Sequence, residues 1–353
     1  MLRKEAEILC GSGALEHFVK LWDLNVSKMK MLKSYDGSAN ILYKCAGREV
    51  FYLRISFRPD RNAEMIGSEV DFVNFLIKGG VKAARPVKSS SGNYFETYEA
   101  DGKVLTAVLW TEAKGFQMDK KGFSMPEGAT HKHFFTKIGE LVGKMHSLSS
   151  VYSPPRPVKR FDWLKRHKGS LAWLLPEGKE VLISKITDVI EEISAIKKTN
   201  GNFGLCHNDL GIINFTLDYS NPDCDITIFD FDDCGFNYFM YELAGSWEMC
   251  SGWTFHLNSA EKRREAMERI YGSILEGYHK FHSPGDAELK MLPLFLKACH
   301  IENIIEPYRE IYKAGKPLKP NREMKYHEYC LLNDIEYMGL FESIFDPEIP
   351  FSM

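Results

Sequence analysis

Chemically active side chains concentrate in one short stretch of this 353-residue chain. Its first part reads His-x-Asp-x4-Asn, from His207 through Asp209 to Asn214. Its second part is an apolar run that starts at Ile226 and ends in the acidic sequence at 230–233. A run that is apolar on both faces is typical of a buried strand, and carboxylates at its end are costly unless a cation neutralises them. Oxygen ligands of this kind suit Mg²⁺.

The order of an aspartate, an asparagine and a second aspartate fits phosphoryl transfer. A loop aspartate can orient an incoming hydroxyl group and accept its proton. The asparagine that follows can offer its carbonyl oxygen to a metal, and an aspartate at the end of the next strand can bridge that metal to the β- and γ-phosphates. The protein then contributes mainly positioning and charge neutralisation. We expect the strand to continue through the acidic run, so that Asp230 and Asp232 share one face.

The acidic run at 230–233 has other interpretations when it is taken alone. It could be a surface turn, or the aspartate pair that opens a haloacid-dehalogenase-like phosphatase. The phosphatase interpretation fits poorly, because the usual Thr or Val two residues after the second aspartate is absent and the motif lies late in the chain. Joined in order to His-x-Asp-x4-Asn, the run favours a kinase-like site.

The first third of the chain has the pattern of a small sheet with one helix. The predicted elements are, in order, strands at 41–45 and 50–55, a helix at 63–77, and strands at 94–99 and 104–110. Asp101-Gly102 joins the last two strands as a hairpin turn. This β-β-α-β-β order predicts an antiparallel sheet.

Beyond residue 112 the pattern becomes mainly helical. Predicted helices cover 134–148, 181–196, 260–281, 286–314 and 325–345. We therefore predict an α+β fold with two lobes, at 1–112 and 113–353.

Composition narrows the class of protein. A formal charge of -3 offers no basic surface for nucleic acid. The sequence contains no uninterrupted apolar run long enough to predict a membrane span. Its charged N-terminus lacks the apolar core of a signal peptide. The eight cysteines contain no Cys-x-x-Cys pair, which favours reduced, packed thiols over a zinc site or a disulfide framework. These features predict a cytoplasmic protein and leave its oligomeric state open.

The motifs resemble those of the aminoglycoside phosphotransferase and choline kinase family, the small-molecule branch of the protein-kinase-like fold. That family typically has His-Gly-Asp-x4-Asn, followed by an apolar strand and Asp-Phe-Asp/Glu. The resemblance implies that Asp209 is the catalytic base and that Asn214 and Asp230 bind Mg²⁺. Asn208 stands where the family usually has glycine. Glu242 stands where the family often has the aspartate of Asp-Leu-Ala, and it is expected to brace the catalytic loop.

The resemblance also implies an ATP site in the first lobe. Arg54 lies on the strand that presents a basic residue to the α- and β-phosphates, usually a lysine, and Glu69 lies on the helix that supplies its ion-pair partner. By themselves, these two residues could equally be exposed surface charges. A phosphate-covering loop is expected at 36–40 and an adenine-binding hinge at 110–115. Their candidate ligands are Ser38 in the loop and the backbone groups of Thr111 and Ala113 in the hinge.

The predicted activity is transfer of the γ-phosphoryl group of ATP, with Mg²⁺, to a hydroxyl group of a small molecule. Two alternatives stay open: a nucleotide-binding pseudokinase that acts as an interaction module, and a kinase that phosphorylates protein serine or threonine. The acceptor pocket is expected in the helical parts at 116–205 and 246–345. Four acidic residues could favour an amine-bearing alcohol: Asp232, Asp233, Glu302 and Glu306.

Overall fold

The structure, a computed structural model, describes residues 1–337 apart from 34–37, 155–156, 172, 174, 176, 255, 314, 316 and 318. The chain forms two compact units. The first comprises Met1–Lys114 with Tyr152–Arg160 and Thr227–Asp232. The second comprises Gly115–Val151, Phe161–Ile226 and the chain from Asp233 onward. The first unit therefore includes two short segments that come much later in the sequence.

The first unit is built on an antiparallel sheet. Its strands are β1 (Met29–Met31), β2 (Asn40–Cys45), β3 (Phe51–Ser56), β4 (Pro86–Val87), β5 (Glu96–Ala100) and β6 (Lys103–Thr111). They lie in the order β1-β2-β3-β6-β4, and β5 also pairs with β6. Its helices are α1 (Arg3–Leu9), α2 (Leu15–Leu21) and α3 (Ala63–Lys78). The predicted β-β-α-β-β order is confirmed by β2, β3, α3, β5 and β6, whereas α1, α2, β1 and β4 are additional to it.

Local sequence explains how several of these elements form. Asn62 caps α3, because its side chain accepts a hydrogen bond from the backbone N–H of Met65. The turn between β5 and β6 uses Asp101 and Gly102, whose positive φ angles of +52° and +68° suit a tight hairpin. Phe18 of α2 is fully buried in the apolar cluster that also contains residues of β2, β3 and β6. The two N-terminal helices therefore complete the core of this unit.

The second unit is mainly helical. Its helices are α4 (His131–Ser150), α5 (Trp163–Leu171), α6 (Glu180–Ala195), α7 (Phe239–Cys250), α8 (Ala260–Tyr278), α9 (Asp286–Leu289), α10 (Leu292–Lys313) and α11 (Arg322–Leu332). The later strands of the chain are β7 (Phe161–Asp162), β8 (Phe203–Cys206), β9 (Phe215–Leu217), β10 (Ile226–Ile228) and β11 (Gly235–Tyr238). In the second unit, β11 pairs in parallel with β7 and antiparallel with β8.

Helices α4 and α8 pack so closely that their contact requires glycine. A Cβ atom at Gly139 of α4 would lie 1.8 Å from the carbonyl oxygen of Ile274, and one at Gly277 of α8 would lie 1.9 Å from that of Thr136. Any larger residue would push the two helices apart. This contact brings the end of α4 beside the end of α8.

The strand predicted through the acidic run ends earlier than the sequence pattern indicates. It stops at Ile228, and Asp230 adopts a φ of +63°, which a strand does not contain. Residues Phe231–Asp233 then form a short 3-10 turn. The prediction that Asp230 and Asp232 share a strand face is therefore wrong.

The helices predicted in the second unit are present with shifted ends. The predicted spans 134–148, 181–196 and 260–281 correspond to α4, α6 and α8. The span 286–314 is divided into α9 and α10, and Pro293 lies in the first turn of α10, where its missing N–H leaves no helical hydrogen bond unmade. The span 325–345 contains α11, which ends at Leu332, and residues 338–345 lie outside the described part of the chain. None of the described helices is long and apolar enough to cross a membrane.

Candidate active site

The loop after β8 carries the candidate base Asp209. Its backbone is folded tightly, since the N–H of Gly211 donates to the carbonyl of Asp209 at 2.9 Å and the N–H of Asn214 donates to the carbonyl of Gly211 at 3.0 Å. The Nδ2 of Asn214 donates to the carbonyl oxygen of Asp209 at 2.7 Å and to its Oδ2 at 2.8 Å. Asn214 thus orients the carboxylate, and its Oδ1, on the other side of the amide carbon, is the atom that can bind a metal ion.

The residue before Asp209 has a left-handed backbone. Asn208 has a φ of +66°, a region that glycine adopts freely and asparagine tolerates better than most residues. Its Nδ2 donates to the carbonyls of Asp233 at 3.2 Å and Gly235 at 3.3 Å, and its Oδ1 accepts from Asn237 at 3.1 Å. Glycine can make none of these hydrogen bonds. Asn208 therefore keeps the loop conformation and also ties the loop to β11.

Glu242 braces the same loop from α7. It is buried, and its Oε1 accepts a hydrogen bond of 2.9 Å from the backbone N–H of Asn208. Its Oε2 lies 2.6 Å from Nε2 of His146. Burial by itself would raise the pKa of Glu242, but the hydrogen bond from His146 and the charges of His146 and His207 outweigh burial and lower the pKa. Glu242 is therefore ionised at neutral pH.

Arg54 of β3 and Glu69 of α3 form a buried ion pair in the first unit. Nη2 of Arg54 lies 2.6 Å from Oε2 of Glu69, and the side chains are 7% and 0% exposed. The guanidinium group lies 5.4 Å from the centre of the Trp110 ring, and its Nη1 faces Asp230 at 3.9 Å and Asp232 at 3.6 Å. Both residues are thus buried rather than surface charges, whereas the role of Arg54 in phosphate binding stays a prediction.

Asp232 lies at the centre of a cluster of arginine side chains. Its Oδ2 accepts hydrogen bonds from Nε of Arg61 at 2.8 Å and from Nδ2 of Asn40 at 3.1 Å. Arg160 donates to the backbone carbonyl of Asp232. Burial would raise the pKa of Asp232, but the guanidinium groups of Arg61 and Arg54 outweigh burial and hold the pKa well below its usual range. Asp232 is therefore permanently ionised and engaged by the protein.

The donor atoms predicted for Mg²⁺ are oxygens of an amide and a carboxylate. Asn214 offers Oδ1, as described above, and the side chain of Asp230 is 51% exposed. Hard oxygen atoms of this kind are the ligands that Mg²⁺ prefers. The chemistry of both residues fits the ion, and their role as ligands stays a prediction.

The predicted phosphate-covering loop is described only in part. Ser38 lies directly before β2, where its Oγ donates to the carbonyl of Asn40 at 3.1 Å and accepts from the N–H of Asn40 at 3.3 Å. Residues 36–37 of the loop lie outside the described part of the chain. Ser38 therefore stabilises the entry to β2, and its contact with a phosphate stays a prediction.

The predicted adenine hinge begins inside the sheet. The backbone N–H of Thr111 donates to the carbonyl of Arg85 at 2.9 Å, and that of Glu112 donates to the carbonyl of Val50 at 3.1 Å. The N–H of Thr111 is thus engaged by the sheet, and the contact of Thr111 with adenine stays a prediction. Ala113 follows directly after these residues and is half-buried, and its contact with adenine stays a prediction.

A cavity of about 340 Å³ opens beside Asp209 in the second unit. Its wall includes Asp209, Tyr241, Trp253 and two further carboxyl groups, those of Glu248 and Glu302. The volume is within the range of pockets that hold small organic ligands. The cavity is therefore a candidate acceptor site next to the candidate base.

Glu302 of α10 is an ionised group in the cavity wall. Its Oε2 accepts a hydrogen bond of 2.7 Å from Nε1 of Trp163 and lies 3.0 Å from Nε2 of His167. Burial would raise the pKa of Glu302, but the charges of His167 and Arg166 and the hydrogen bond from His167 hold the pKa well below its usual range. Glu302 therefore contributes an ionised carboxylate to the cavity wall at neutral pH.

Glu248 of α7 lies in the wall of the same cavity, but its surroundings differ from those of Glu302. The part of the chain that the structure describes pairs it with no cation, and its buried Oε1 has no hydrogen-bond partner there. Burial, with the nearby charge of Glu323, raises the pKa of Glu248 to about 8 despite a hydrogen bond from Asn303. Glu248 is therefore mostly protonated at neutral pH as long as no cation enters the cavity.

Of the four acidic residues predicted to favour an amine, Glu302 alone lines the described cavity. Asp232 belongs to the arginine cluster of the first unit. Glu306 lies 2.6 Å from Nη2 of Arg166, and Asp233 lies 3.6 Å from Nη1 of the same residue. Each of these three acids lies beside an arginine, and their role in attracting an amine stays a prediction.

Sequence reasoning missed several residues that the structure brings to these sites. No motif marks Arg61 or Arg160, since an isolated arginine in sequence has the pattern of a surface charge. A signal for Glu248 was available, because Tyr241 and Glu248 are seven residues apart and share one face of α7. An acid within the apolar face of a helix is unusual, because charged side chains are seldom buried unless they are paired.

Comparison with known proteins identifies the family. Residues 40–284, which are most of the chain, match the phosphotransferase enzyme family. The chain belongs to this family and is a phosphotransferase of the kinase type. The fold is accordingly the α+β protein-kinase-like fold that the sequence motifs predicted.

Three relatives illustrate the similarity. The amicoumacin kinase of Bacillus subtilis (strain 168) is 24% identical over 265 residues, which cover 74% of this chain and 75% of that protein. Among solved structures, the amicoumacin kinase hAmiN in complex with AMP-PNP, Ca²⁺ and Ami has a TM-score of 0.80 at 20% identity, over 97% of this chain and 99% of that chain. The microcompartment-associated aminopropanol kinase has a TM-score of 0.66 at 18% identity, over 91% and 94% of the two chains. These structural likenesses show a shared fold.

Proposed function

We propose that this protein transfers the γ-phosphoryl group of ATP to a hydroxyl group of a small molecule, with Asp209 as the general base. The observation that carries the proposal is the position of Asp209, which lines a cavity of about 340 Å³ while Asn214 holds its Oδ2. A hydroxyl group in this cavity lies within reach of a carboxylate that is already oriented. Complexes of structural neighbours with AMP-PNP and with GDP support a nucleotide as the phosphoryl donor.

Each residue of the site has a distinct role in this proposal. Asp209 accepts the proton of the acceptor hydroxyl as its oxygen attacks the γ-phosphorus. The hydrogen bond from Asn214 keeps Oδ2 of Asp209 in one orientation. Arg54, held by Glu69, offers a forked cation to the phosphates. Bound Mg²⁺, with Asn214 and Asp230 as its candidate ligands, supplies charge neutralisation at the phosphates.

The acidic wall of the cavity supports an acceptor that carries an amine. Glu302 is ionised at neutral pH, and an ammonium group in the cavity would also favour the ionised form of Glu248. The structural neighbours include an aminopropanol kinase and a protein in complex with GDP and kanamycin, and both named compounds are amine-bearing alcohols. We therefore propose an amine-bearing alcohol as the acceptor class.

The pseudokinase alternative depended on two departures from the family pattern. Asn208 in place of glycine keeps the left-handed backbone and adds contacts to the loop. Arg54 in place of lysine is paired with Glu69 at 2.6 Å. Neither departure removes a group that the chemistry requires. A protein serine or threonine as acceptor is an outcome that the following experiment distinguishes.

A turnover assay tests the proposal. ATP and Mg²⁺ are combined with amine-bearing alcohols, with matched alcohols that lack the amine, and with a serine-containing peptide. We expect transfer to the amine-bearing class, and we expect Asp209→Asn to lower kcat by about 10²- to 10⁴-fold. Asp230→Ala should abolish the dependence of turnover on Mg²⁺ together with most of the activity.

Asp223→Asn is the matched control, because Asp223 is an exposed aspartate in the loop between β9 and β10. It should turn over ATP at the wild-type rate. Wild-type turnover by Asp209→Asn would overturn the role of Asp209. Thermal stabilisation by ATP without transfer to any acceptor would support the pseudokinase instead.

A further inference from the structure

The segment that carries Asp230 packs on α3 in the first unit. The ring of Phe231 lies edge-on to that of Phe72 of α3, with centroids 6.4 Å apart and planes 78° apart. Tyr152, from the other late segment of this unit, contacts Phe72 and Phe75 of α3 at centroid distances of 5.2 and 4.8 Å. Both late segments of the first unit are therefore attached to the same helix.

Arg160 joins the two late segments to α3 by polar contacts as well. Its Nη2 donates to the backbone carbonyl of Asp232 and to that of Phe231, the latter at 3.4 Å. Its Nη1 donates to the carbonyl oxygen of Met65 at 3.2 Å and lies 4.0 Å from Oε2 of Glu69. The planar guanidinium fork thus contacts the segment and the helix at once, which the point charge of a lysine is less suited to do.

The main chain beside Arg160 is also fixed to α3. The backbone N–H of Lys159 donates to Oγ of Ser68 at 2.9 Å, and this hydroxyl group donates to the carbonyl of Glu64 at 3.0 Å. The side chain of Arg160 is 0% exposed. Arg160 therefore affects the candidate site through the groups that it holds.

The carboxylate of Asp232 attaches the same segment to the sheet. Its Oδ2 accepts hydrogen bonds from Arg61 and from Asn40 of β2. Arg160 holds the backbone carbonyl of this residue instead, and holds it against α3. The end of the segment is thus fixed on two sides, while the side chain of Asp230 stays 51% exposed.

The backbone directly before the carbonyls that Arg160 holds is strained. Asp230 has a φ of +63°, a left-handed conformation that is unfavourable for a residue with a Cβ atom. Such a conformation persists only where the surrounding structure fixes it. Hydrogen bonds to the carbonyls of the next two residues supply a constraint of this kind. Arg160 is therefore well placed to keep Asp230 in this conformation.

We propose that Arg160 is a positioning residue for the candidate metal ligand Asp230, which it holds at a fixed distance from α3. This inference rests on the proposed function, in which Asp230 binds Mg²⁺ and Arg54 binds the phosphates. Phosphate groups and their metal ion are bound together in phosphoryl transfer, so these two residues must keep a constant spacing. Arg160 maintains it, because one guanidinium group contacts both the backbone after Asp230 and Glu69, the partner of Arg54.

Two substitutions of Arg160 separate its fork from its charge. Arg160→Lys keeps a positive charge near Glu69 but loses the simultaneous contacts with the segment and the helix, whereas Arg160→Met removes charge and contacts alike. Electron paramagnetic resonance measures Mn²⁺ binding to the protein with AMP-PNP bound. We expect both substitutions to raise the dissociation constant of Mn²⁺ by about 10- to 100-fold. Binding of AMP-PNP without a divalent ion should stay close to that of wild type in Arg160→Lys, which keeps the charge beside Glu69.

Turnover should show the same selectivity. The Mg²⁺ concentration that gives half-maximal turnover should rise in both variants, because Asp230 is no longer held in place. The KM for the acceptor alcohol should not change, since the candidate acceptor cavity lies in the second unit. This division between the two constants separates a role in metal binding from a general loss of folded protein.

Arg263→Lys is the matched control for loss of a buried guanidinium fork. Arg263 of α8 is 1% exposed, and its Nε and Nη2 donate to the carbonyl oxygen of Leu257 at 3.1 and 2.9 Å. These hydrogen bonds lie within the second unit, whereas Asp230 belongs to the first. We expect Arg263→Lys to lower thermal stability without changing Mn²⁺ binding or the Mg²⁺ dependence of turnover.

Amide hydrogen exchange of the segment 227–232 follows its backbone without reference to metal or turnover. We expect faster exchange in both Arg160 variants than in wild type or Arg263→Lys. Wild-type Mn²⁺ binding and exchange in Arg160→Met would overturn the proposal. An Arg160→Lys variant that behaves like wild type would overturn it too, since charge alone would then suffice. If the wild type transferred no phosphoryl group while both Arg160 variants weakened Mn²⁺ binding and increased exchange, the proposed function would fail and the role of Arg160 would stand.

Discussion

Asp232 in the first unit and Glu248 in the second are carboxyl groups withdrawn from water, yet their pKa values move in opposite directions. Asp232 accepts a hydrogen bond from Arg61 and lies 3.6 Å from Arg54, and its pKa is held well below its usual range. Glu248 has the carboxylate of Glu323 nearby and no cation among the described residues, and its pKa is about 8. Burial raises both values, so the neighbouring charges decide which form is present.

The comparison separates two uses of a buried acid. The cluster around Asp232 is neutralised by the protein itself, and its charges are permanent parts of the fold. Glu248 lacks such a partner, so its charge depends on what occupies the cavity that it lines. The following predictions, from the largest expected effect to the smallest, test this distinction and the contacts that support the catalytic loop.

Breaking the arginine cluster has the largest expected effect on stability. Asp232→Asn leaves Arg61 and Arg54 without the carboxylate that they share. Removing one partner from a buried ion pair costs about 3–5 kcal/mol in the free energy of unfolding, which denaturant unfolding measures. Glu16→Gln is the control, because it removes an exposed pair with Lys20 and should cost less than about 0.5 kcal/mol. Equal effects of the two substitutions would show that the cluster does not depend on its charges.

The second unit also contains a close helix contact between α4 and α8, which Gly139→Ala tests. The added Cβ would lie 1.8 Å from the carbonyl oxygen of Ile274, so α4 and α8 must separate. We expect a loss of about 3 kcal/mol in the free energy of unfolding. Gly272→Ala on α8 has open space around its Cβ and should gain about 0.5–1 kcal/mol from helix propensity. Similar effects of the two substitutions would contradict the glycine contact.

Because the described part of the chain places no cation beside Glu248, we predict that the stability of the fold depends on pH through this residue. Its folded pKa of about 8 lies above the ordinary value of 4.5, so the folded state holds the proton more tightly. The associated stability is fully present below the ordinary pKa and is lost as the pH rises through the folded pKa, by up to about 1.4 kcal/mol per pH unit. Glu248→Gln removes this loss. Its advantage in thermal stability over wild type should therefore grow between about pH 5 and pH 8, and a constant difference would contradict the assignment.

The smallest expected effect concerns Asn208. Asn208→Gly removes the hydrogen bonds to Asp233, Gly235 and Asn237 but keeps the left-handed backbone. We expect a loss of about 1 kcal/mol in the free energy of unfolding and a kcat lowered by a few-fold. Asn208→Ala should cost about 1 kcal/mol more, because alanine disfavours a positive φ. If alanine were tolerated as well as glycine, the backbone argument would be wrong.

Several features of the fold and the site were predictable because they depend on neighbours in sequence. The hairpin at Asp101 and Gly102 needs two residues that accept positive φ, and the helix at 63–77 needs one apolar stripe after an asparagine cap. Asp209 and Asn214 are likewise five residues apart in one loop, so their hydrogen bond is a local interaction. The prediction that the strand extends through Asp230 was wrong for a local reason too. A hydropathy pattern does not show that the backbone of this residue has a positive φ angle.

The sequence by itself determined the order of catalytic residue types, the positions of the main helices and strands, and hence the kinase-like class. The tertiary structure alone decided which charges neutralise one another and which remain for a ligand. Arg61 and Asp232 are 171 residues apart, and His146 and Glu242 are 96 apart, so no local pattern connects either pair. Hydrophobic periodicity encodes individual elements, whereas these pairs form only when elements distant in sequence pack together. For that reason the arginine cluster, the contact between His146 and Glu242, and the carboxyl group of Glu248 became visible only in the folded chain.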